Sequence, residues 1–522
     1  MHVMTQPKLS TGMDARNQVL CAVDTELKEI WLEGFRLLDF EPEICERIDK
    51  DIDLAAKQAK KERLLDQAWF DQSLPALPGL EPVTLEQLEA IAPSELELGI
   101  GRKRRLDGEA IFLFMQCRAH LDSVTSHVAV DRLRDSEMVN DYLHGRGMRL
   151  PTRTCVLEYL NAIRPETREL IFSAQLRMLM SEGLADRDLL AIDSFSVSGN
   201  TSWPTDSRIM CMLLERAYRL GRKWEEFNLP AFTEAYVPGW LEELRKLDFR
   251  INCMAGKPHS RKKIKKMYKK ALRLCVKVTD RLTKQYDRFS PVWRAAPFVP
   301  SRRRQLDALA DEIDASLRAA LRVYQYAGDR VLNGVVLPAA EKVLSLSDDC
   351  VAYIKKGGRE PVIGYKPQIA RDGNGFVTAF EIQQGNPSDS KRLVPVAEQH
   401  IDHMGYATKT LTVDDGYSSA ANVRELKERG FEVVSVSGSK GKAITPDEDW
   451  ESEAYRKARN ARSAVESVIF TVRYKFWLYR FSRCGIEAVT AELMEKVIAY
   501  NLWRAATLRR KRADAVPQRP AA

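Results

Sequence analysis

The sequence predicts a mixed α/β core that carries a large helical insertion after its first strand and follows an N-terminal helical domain. Short apolar runs typical of strands occur at 189–197 and again between residues 361 and 436. Helical periodicity with few turn signals fills 207–345 between them. The segment Arg371-Asp372-Gly373-Asn374-Gly375 is a hairpin signal. These observations favour one mixed sheet, flanked by helices, whose strands are far apart in the chain.

The composition is that of a soluble globular protein with a polyanionic partner. The 522 residues, 44% hydrophobic and 30% charged, are enough for two to four domains. The net charge of +8 is unevenly distributed, because residues 257–273 carry nine lysines and arginines and no acid. Residues 24–53, in contrast, carry eleven acids and four basic residues. Clustered positive charge of this kind favours binding to a polyanion.

Cysteine usage and hydropathy argue against a secreted or membrane protein. The nine cysteines are odd in number and lack a Cys-x-x-Cys pair, which predicts reduced thiols and no zinc knuckle. No apolar run approaches the roughly 18 to 20 residues of a membrane span. Residues 1–7 lack the basic and then apolar profile of a signal peptide. We therefore expect a cytoplasmic protein without a membrane partner.

The elements before the first strand are predicted to be helical. Residues 1–83 form a helical, partly disordered segment that ends in a proline-rich stretch. Residues 84–186 form a helical domain that begins at the capping signal Thr84-Leu85-Glu86-Gln87. Its short helices fit a helix-turn-helix-like DNA-binding domain or an ordinary helical bundle, and periodicity does not choose between them.

The α/β core is predicted from two stretches, 187–206 and 356–482, on either side of the insertion at 207–355. After the hairpin come a helix at 391–403, a strand that ends at Asp414, a helix at 421–429, a strand at 431–436 and a long helix at 453–480. The last segment, 483–522, contains a helix at 486–508 and the basic tail Arg509-Arg510-Lys511-Arg512.

Three carboxylates stand where a fold of this kind could bring them together. Asp193 follows the apolar run 189–192, Asp414 follows 411–413, and Glu466 lies in the predicted long helix. Two strand-end aspartates and one helical glutamate can hold two divalent cations, as phosphodiester chemistry requires. Asp193 could instead cap the next turn. Asp415 is a weaker candidate than Asp414 because its side chain points to the opposite face of a strand.

Six stretches between about residue 135 and 505 resemble those of bacterial insertion-sequence DDE transposases, closest to the ISNCY-type group. They are Leu133-Arg134-Asp135-Ser136 with Pro151-Thr152-Arg153-Thr154; Asp193 with Pro204-Thr205-Asp206-Ser207; Gly364-Tyr365-Lys366; Gly385-Asn386-Pro387-Ser388-Asp389-Ser390; Asp414-Asp415-Gly416-Tyr417-Ser418; and Ser463-Ala464-Val465-Glu466-Ser467 with Asn501-Leu502. The specificity lies in the order and spacing of these stretches. The resemblance implies an RNase H-like core.

The resemblance also implies roles for individual residues. Asp193, Asp414 and Glu466 match the catalytic, metal-binding acids, with Asp193 bridging two Mg²⁺ ions, for which Mn²⁺ can substitute. Arg462 and Arg473 are expected to share a helix face with Glu466 and to grip phosphates. The pair of Arg462 with Glu466 could instead be a solvated ion pair. Arg459 stands where relatives often have a tyrosine, so that tyrosine's role is not carried over.

Further DNA-binding candidates lie outside the acidic triad. The basic helix near 261–273 is expected to dock on its apolar side and to present lysines to phosphates, unless that face is merely solvated. Trp203 could stack on an unpaired base or be packed in the fold. Two lysines after the last strand could touch DNA or form a surface turn. The lysines in these two groups are Lys262, Lys263, Lys266 and Lys270, and Lys440 and Lys442.

The chain is therefore predicted to be a DDE transposase that binds the terminal inverted repeats of an insertion sequence, cuts the DNA and transfers the strand to a target. We expect it to act as a homodimer or higher oligomer on DNA in the bacterial nucleoid. Two rival functions remain open: an RNase H-like nuclease without strand transfer, and a catalytically silent DNA-binding protein.

Overall fold

The computed structural model describes residues 14–73, 84–98, 104–121, 126–201, 205–232, 234–338, 341–355 and 360–514. The chain divides into two compact units. The first contains Met1–Asp53, Gly101–Asn200 and Ile354–Ala522, and the second contains Leu54–Ile100 and Thr201–Tyr353. The five domains predicted from the sequence are a finer division, and their boundaries stay a prediction. The predicted disorder within 1–83 can concern only 1–13 and 74–83, which lie outside the described residues.

The described residues before the first strand are helical, as predicted. The helices are α1 (Asp14–Phe40), α2 (Glu43–Ser73), α3 (Leu85–Ala90), α4 (Gly108–Leu121), α5 (Ser126–Asp135), α6 (Glu137–Gly145), α7 (Arg153–Ala162) and α8 (Pro165–Ser181). Thr84 and Gln87 form the predicted capping box at the start of α3. Within the first unit, α4 is buried along almost its whole length, which its apolar sequence favours.

The second unit is built around a helical bundle. Its helices are α9 (Asp206–Arg222), α10 (Val237–Met254), α11 (Arg261–Ala295) and α12 (Pro300–Gly328). Apolar side chains of all four helices form one core around Trp224. Thr205 caps α9 by accepting a hydrogen bond from the backbone N–H of Arg208. The Asp206 carboxylate instead accepts a hydrogen bond from Arg330 Nε at 2.7 Å.

The first unit contains the predicted mixed sheet. In chain order the strands are β1 (Leu189–Ser194), β2 (Val197–Ser198), β3 (Ala352–Ile354), β4 (Val362–Tyr365), β5 (Gln368–Asp372), β6 (Val377–Glu381), β7 (Thr410–Val413) and β8 (Val433–Val436). The main sheet has the order β6-β5-β1-β7-β8. β1 is parallel to β7 and antiparallel to β5, and β7 is parallel to β8. The predicted hairpin joins β5 to β6, with Gly375 at φ 91° in its turn.

Helices cover the sheet. They are α13 (Leu393–Met404), α14 (Ala420–Glu428), α15 (Ser439–Ile444), α16 (Asp447–Glu451), α17 (Glu453–Ala461), α18 (Ala464–Tyr474) and α19 (Ile486–Asp514). Apolar residues of α13 and α14 share a core with Leu190 and Ile192 of β1. α18 also packs against β1, but its buried valines are not part of that core. Because side chains alternate along a strand, α18 lies over the face to which Asp193 points.

The predicted long helix at 453–480 is wrong, because the chain breaks there into α17 and α18. Arg462 and Ser463 form a turn between the two helices, and α18 ends at Tyr474. The reason is local: serine competes for backbone hydrogen bonds within a helix, and Trp477 adopts a left-handed φ of 56°. Among the described residues, no helix is both long and apolar enough to cross a membrane.

Candidate active site

Asp193 and Asp414 lie side by side at one edge of the sheet. Ala191 of β1 pairs with Thr412 of the parallel strand β7. The same register, continued by two residues, places Asp193 beside Asp414, and neighbouring strands are about 4.8 Å apart. Both residues also fall on the same phase of the alternation, so both carboxylates leave the sheet toward the α18 side. The sequence prediction about these two residues therefore has direct geometric support.

Each aspartate is anchored by the backbone next to it. Asp193 is buried, and its Oδ1 accepts a hydrogen bond from the Ser194 backbone N–H at 2.7 Å. Asp414 is half-buried, and its Oδ1 accepts one from the Gly416 N–H at 2.9 Å. No described residue donates a hydrogen bond to the second oxygen of Asp414. That oxygen is available to an external ligand.

The tyrosine after Asp414 reports a concentration of negative charge. Tyr417 is fully buried, and its hydroxyl donates to Gln368 Oε1. Burial raises the pKa of Tyr417 well above its ordinary value, and the charges of Asp389, Asp193 and Asp414 raise it further. The charges of three carboxylates thus act on the Tyr417 hydroxyl, and carboxylate oxygens are the donors that a hard divalent cation prefers.

Asp415 makes different contacts from Asp414 and lies in the 3₁₀ turn that follows β7, outside the strand on which the sequence prediction had placed it. Its Oδ1 accepts hydrogen bonds from the backbone N–H groups of Lys440 and Gly441 at 2.8 and 3.0 Å. Gly438, at φ 95°, leaves room for it, since a Cβ there would lie 2.6 Å from the Asp415 carboxyl carbon. Asp415 thus anchors the start of α15 and turns away from Asp414.

Glu466 lies in the first turn of α18 and is more exposed than the aspartates. Its side chain is 58% exposed and pairs with Arg462 at 3.0 Å. The carboxylate oxygens of Asp193, Asp414 and Glu466 do not all lie within 4.8 Å of one another. The structure therefore brings the two aspartates to one edge and places Glu466 on the helix that covers it, without closing the triad.

The two arginines predicted to flank Glu466 are arranged differently from the prediction. Arg462 belongs to the turn before α18, so it does not share a continuous helix with Glu466, although it still reaches the glutamate. Arg473 points elsewhere and donates a hydrogen bond to the Ser196 carbonyl oxygen beyond β1. Arg462 thus pairs with Glu466 across the helix break, whereas Arg473, two turns after Glu466 on α18, has its guanidinium engaged by the Ser196 carbonyl oxygen.

The sequence prediction missed a further carboxylate at this edge, that of Asp389. Its Oδ1 accepts a hydrogen bond from Gln368 Nε2 at 2.8 Å and lies 3.2 Å from Lys366 Nζ. The 3₁₀ turn that Asp389 begins packs against the turn that contains Tyr417. The available signal was that Lys366 and Asp389 each occur in one of the six stretches quoted above.

One other group of potential metal ligands occurs within the described ranges. Asp348, Asp349 and Cys350 bring one ligand atom each within 4.8 Å. They are consecutive in sequence, and the Cys350 thiol already contacts Asp349 Oδ1 at 3.5 Å. Their proximity follows from adjacency in the chain.

The predicted DNA-binding lysines are on the surface. Lys262, Lys263 and Lys266 are exposed on α11, whereas Lys270 pairs with Glu243 at 2.5 Å. The opposite side of α11 is buried in the core of the second unit, as predicted. Lys440 and Lys442 are also exposed, in α15 of the first unit, and Trp203 lies outside the described residues.

Comparison with known proteins identifies the domain that contains this edge. Residues 350–502 match the family model of the transposase DDE domain. No curated protein matches the chain. No solved structure matches it either. The match includes Asp414 and Glu466 but begins after Asp193 in the chain. The position of Asp193 next to Asp414 therefore rests on the register of the sheet alone.

The first unit thus contains a transposase DDE domain on a mixed α/β sheet. The match over residues 350–502 agrees with the resemblance to insertion-sequence DDE transposases that was drawn from the motifs of the sequence. The ISNCY type is a narrower assignment and stays a prediction.

Proposed function

We propose that this transposase binds the terminal inverted repeats of its insertion sequence, cuts the DNA and joins the freed 3′ end to a target. The observation that carries the proposal is the parallel register of β1 and β7, which pairs Ala191 with Thr412 and, continued by two residues, brings Asp193 next to Asp414. The covering helix α18 carries Glu466 as a third acid. DNA is the partner, and a homodimer or higher oligomer in the bacterial nucleoid is the expected working state.

The residues at the edge fit a divalent cation. Asp193 and Asp414 are hard oxygen donors with the same orientation, and Asp414 keeps one oxygen free. They would hold Mg²⁺ or Mn²⁺, which lowers the pKa of bound water and stabilises the charge on attacking and leaving oxygens. The neighbouring charges around Tyr417 support this placement.

Glu466 becomes the third acid of the proposed cation site if its carboxylate releases Arg462. Arg473, seven residues later, contacts Ser196 just beyond β1, and α18 packs along β1. Seven helical residues span about 10 Å, the length of about three strand residues. That length is comparable with the stretch of β1 and its extension from Ser196 back to Asp193, so Glu466 on α18 is near enough to be proposed as the third acid. Release costs little, because an exposed ion pair contributes roughly 0–1 kcal/mol.

Basic surfaces are available for the DNA backbone. The exposed lysines of α11 and α15 offer phosphate contacts that carry no base information. Arg462, once free of Glu466, would be a further cation beside the acids. Base recognition is assigned to the helical segment 84–186, and Trp203 is proposed as a stacking residue for an unpaired base.

The test is a cleavage and strand-transfer assay on duplexes that carry the ends of the chain's own insertion sequence. We expect metal-dependent nicking, and joined product from pre-cut ends. Asp193→Asn, Asp414→Asn and Glu466→Gln should each abolish both, whereas Asp188→Asn should not, because Asp188 pairs with Lys409 at the opposite end of the same strands. Nicking without joining would indicate a nuclease, and binding without nicking a silent DNA-binding protein.

A further inference from the structure

One carboxylate at this edge, that of Asp389, has no role in the three-acid arrangement. Its two oxygens differ. Oδ1 is held by Gln368 Nε2 at 2.8 Å and by Lys366 Nζ at 3.2 Å. Oδ2 accepts no hydrogen bond from any described residue. Lys366 is itself fixed, since it donates to the Pro387 carbonyl oxygen at 2.5 Å and is only 9% exposed.

The free oxygen of Asp389 faces the loop that follows β7. A Cβ built on Gly416 would lie 3.0 Å from Asp414 Oδ1 and 3.4 Å from Asp389 Oδ2. These two oxygens are therefore no farther apart than the sum of those distances, 6.4 Å. Two oxygens that share one Mg²⁺ ion are at most about 4.2 Å apart, because each lies about 2.1 Å from the ion. Side-chain rotation by about 2 Å closes the difference.

We propose that Asp389 is a ligand of the divalent cation and shares it with Asp414. The inference rests on the proposed function, because it adds a fourth acid to the same site. Lys366 and Gln368 hold Oδ1 and leave Oδ2 as the donor, so the carboxylate is partly oriented before the cation arrives. Preorganisation of this kind raises affinity because less side-chain freedom is lost on binding. The charge of Asp389 at Tyr417 supports its proximity to Asp193 and Asp414.

The alternative is that Asp389 only anchors Lys366 and the loop. The two cases differ in the affinity for the cation itself. Direct Mn²⁺ binding to the full chain, without DNA, should be measured by the electron paramagnetic resonance signal of free Mn²⁺. We expect Asp389→Asn to weaken binding at least about tenfold, and Asp389→Glu to restore part of it. Asp188→Asn is the matched control, a lysine-paired aspartate at the other end of the sheet, and should bind as the wild type does.

A second variant separates binding from folding. Asp389→Asn leaves the nearly buried Lys366 ammonium without its partner, which by itself destabilises the protein. The double variant Lys366→Met/Asp389→Asn removes both charges and should fold, yet still lose Mn²⁺ affinity. Unchanged affinity in both variants, with binding lost in Asp193→Asn, would overturn the role of Asp389 and leave the proposed function intact. Absence of Mn²⁺ binding in the wild type would overturn both.

Discussion

A buried ion cluster in the first unit makes the sharpest prediction about stability. Glu495 of α19 is fully buried, and its carboxylate contacts three guanidinium groups. It accepts hydrogen bonds from Arg118 at 2.7 and 2.8 Å, from Arg168 at 2.9 Å and from Arg483 at 2.7 Å. One buried negative charge therefore faces three positive charges, two of which belong to the buried residues Arg118 and Arg168. Removing that charge leaves the cluster with uncompensated cations.

We expect Glu495→Gln to lower the free energy of unfolding by about 3–5 kcal/mol. Each charge-assisted hydrogen bond contributes roughly 1.5–3 kcal/mol, and the amide oxygen of glutamine preserves part of it. Urea unfolding measures the loss, and hydrogen exchange of α4, α8 and α19 localises it to the helices that supply the cluster. The control is Glu487→Gln on the same helix, where an exposed side chain should change stability by less than about 0.5 kcal/mol.

The pH dependence has a definite sign. Burial alone would raise the pKa of Glu495, but the charges of Arg118, Arg483 and Arg168 outweigh it and hold the pKa far below its ordinary value of 4.5. The unfolded state therefore binds the proton first as the pH falls, so the stabilisation is complete above about pH 4.5 and decreases below it. The difference between wild type and Glu495→Gln should shrink only in that acidic range. A loss below 1 kcal/mol at pH 7 would refute the reasoning.

Three further predictions concern other parts of the chain. Gly221→Ala should cost about 1–3 kcal/mol in urea unfolding, because its Cβ would lie 2.1 Å from a ring carbon of Phe232, whereas Gly239→Ala meets no atom and should cost nothing. Burial lowers the pKa of His403, but its hydrogen bond to Glu169 prevails and raises it. The free energy of unfolding should therefore decrease above pH 6.5 by less than about 1 kcal/mol. Glu169→Gln should remove this pH dependence. Substitution of four lysines of α11 by glutamine should make DNA binding less dependent on salt. The slope of log K, where K is the DNA-binding constant, against the log of the salt concentration should decrease in magnitude by about 3 to 4, whereas Lys284→Gln alone should not change it measurably. These four are Lys262, Lys263, Lys266 and Lys270.

Local patterns were sufficient to predict the strands that carry the aspartates. Apolar runs that end in an acid, at 189–193 and 411–414, predict strand-end carboxylates without knowledge of the partner strand. The hairpin turn at Gly375 is equally local, because a turn position with φ above zero favours glycine. The pairing of β1 with β7 depends on register between distant segments, and the motif resemblance supplied it.

Periodicity alone did not predict several features of the structure. The turn at Arg462 and Ser463 interrupts a segment whose periodicity is compatible with one helix, so the single long helix at 453–480 was wrongly predicted. Asp389 gains its partners Lys366 and Gln368 only when the link between β6 and α13 folds back against the start of β5. The contacts of Glu495 with Arg118 join residues 377 positions apart, which no local pattern reveals.

The first unit is built from segments that are far apart in the chain, and this also constrains how the chain folds. β1 finds its neighbours β5 and β7 only after the whole second unit has been synthesised, and α1 packs against α19, which lies more than 400 residues later. Such a high contact order predicts slow, late assembly. The helical bundle, whose contacts are mostly its own, is expected to form first. Until then the exposed edges of the central strand would be vulnerable to aggregation, so yield should depend on expression temperature more than on the stability of the finished molecule.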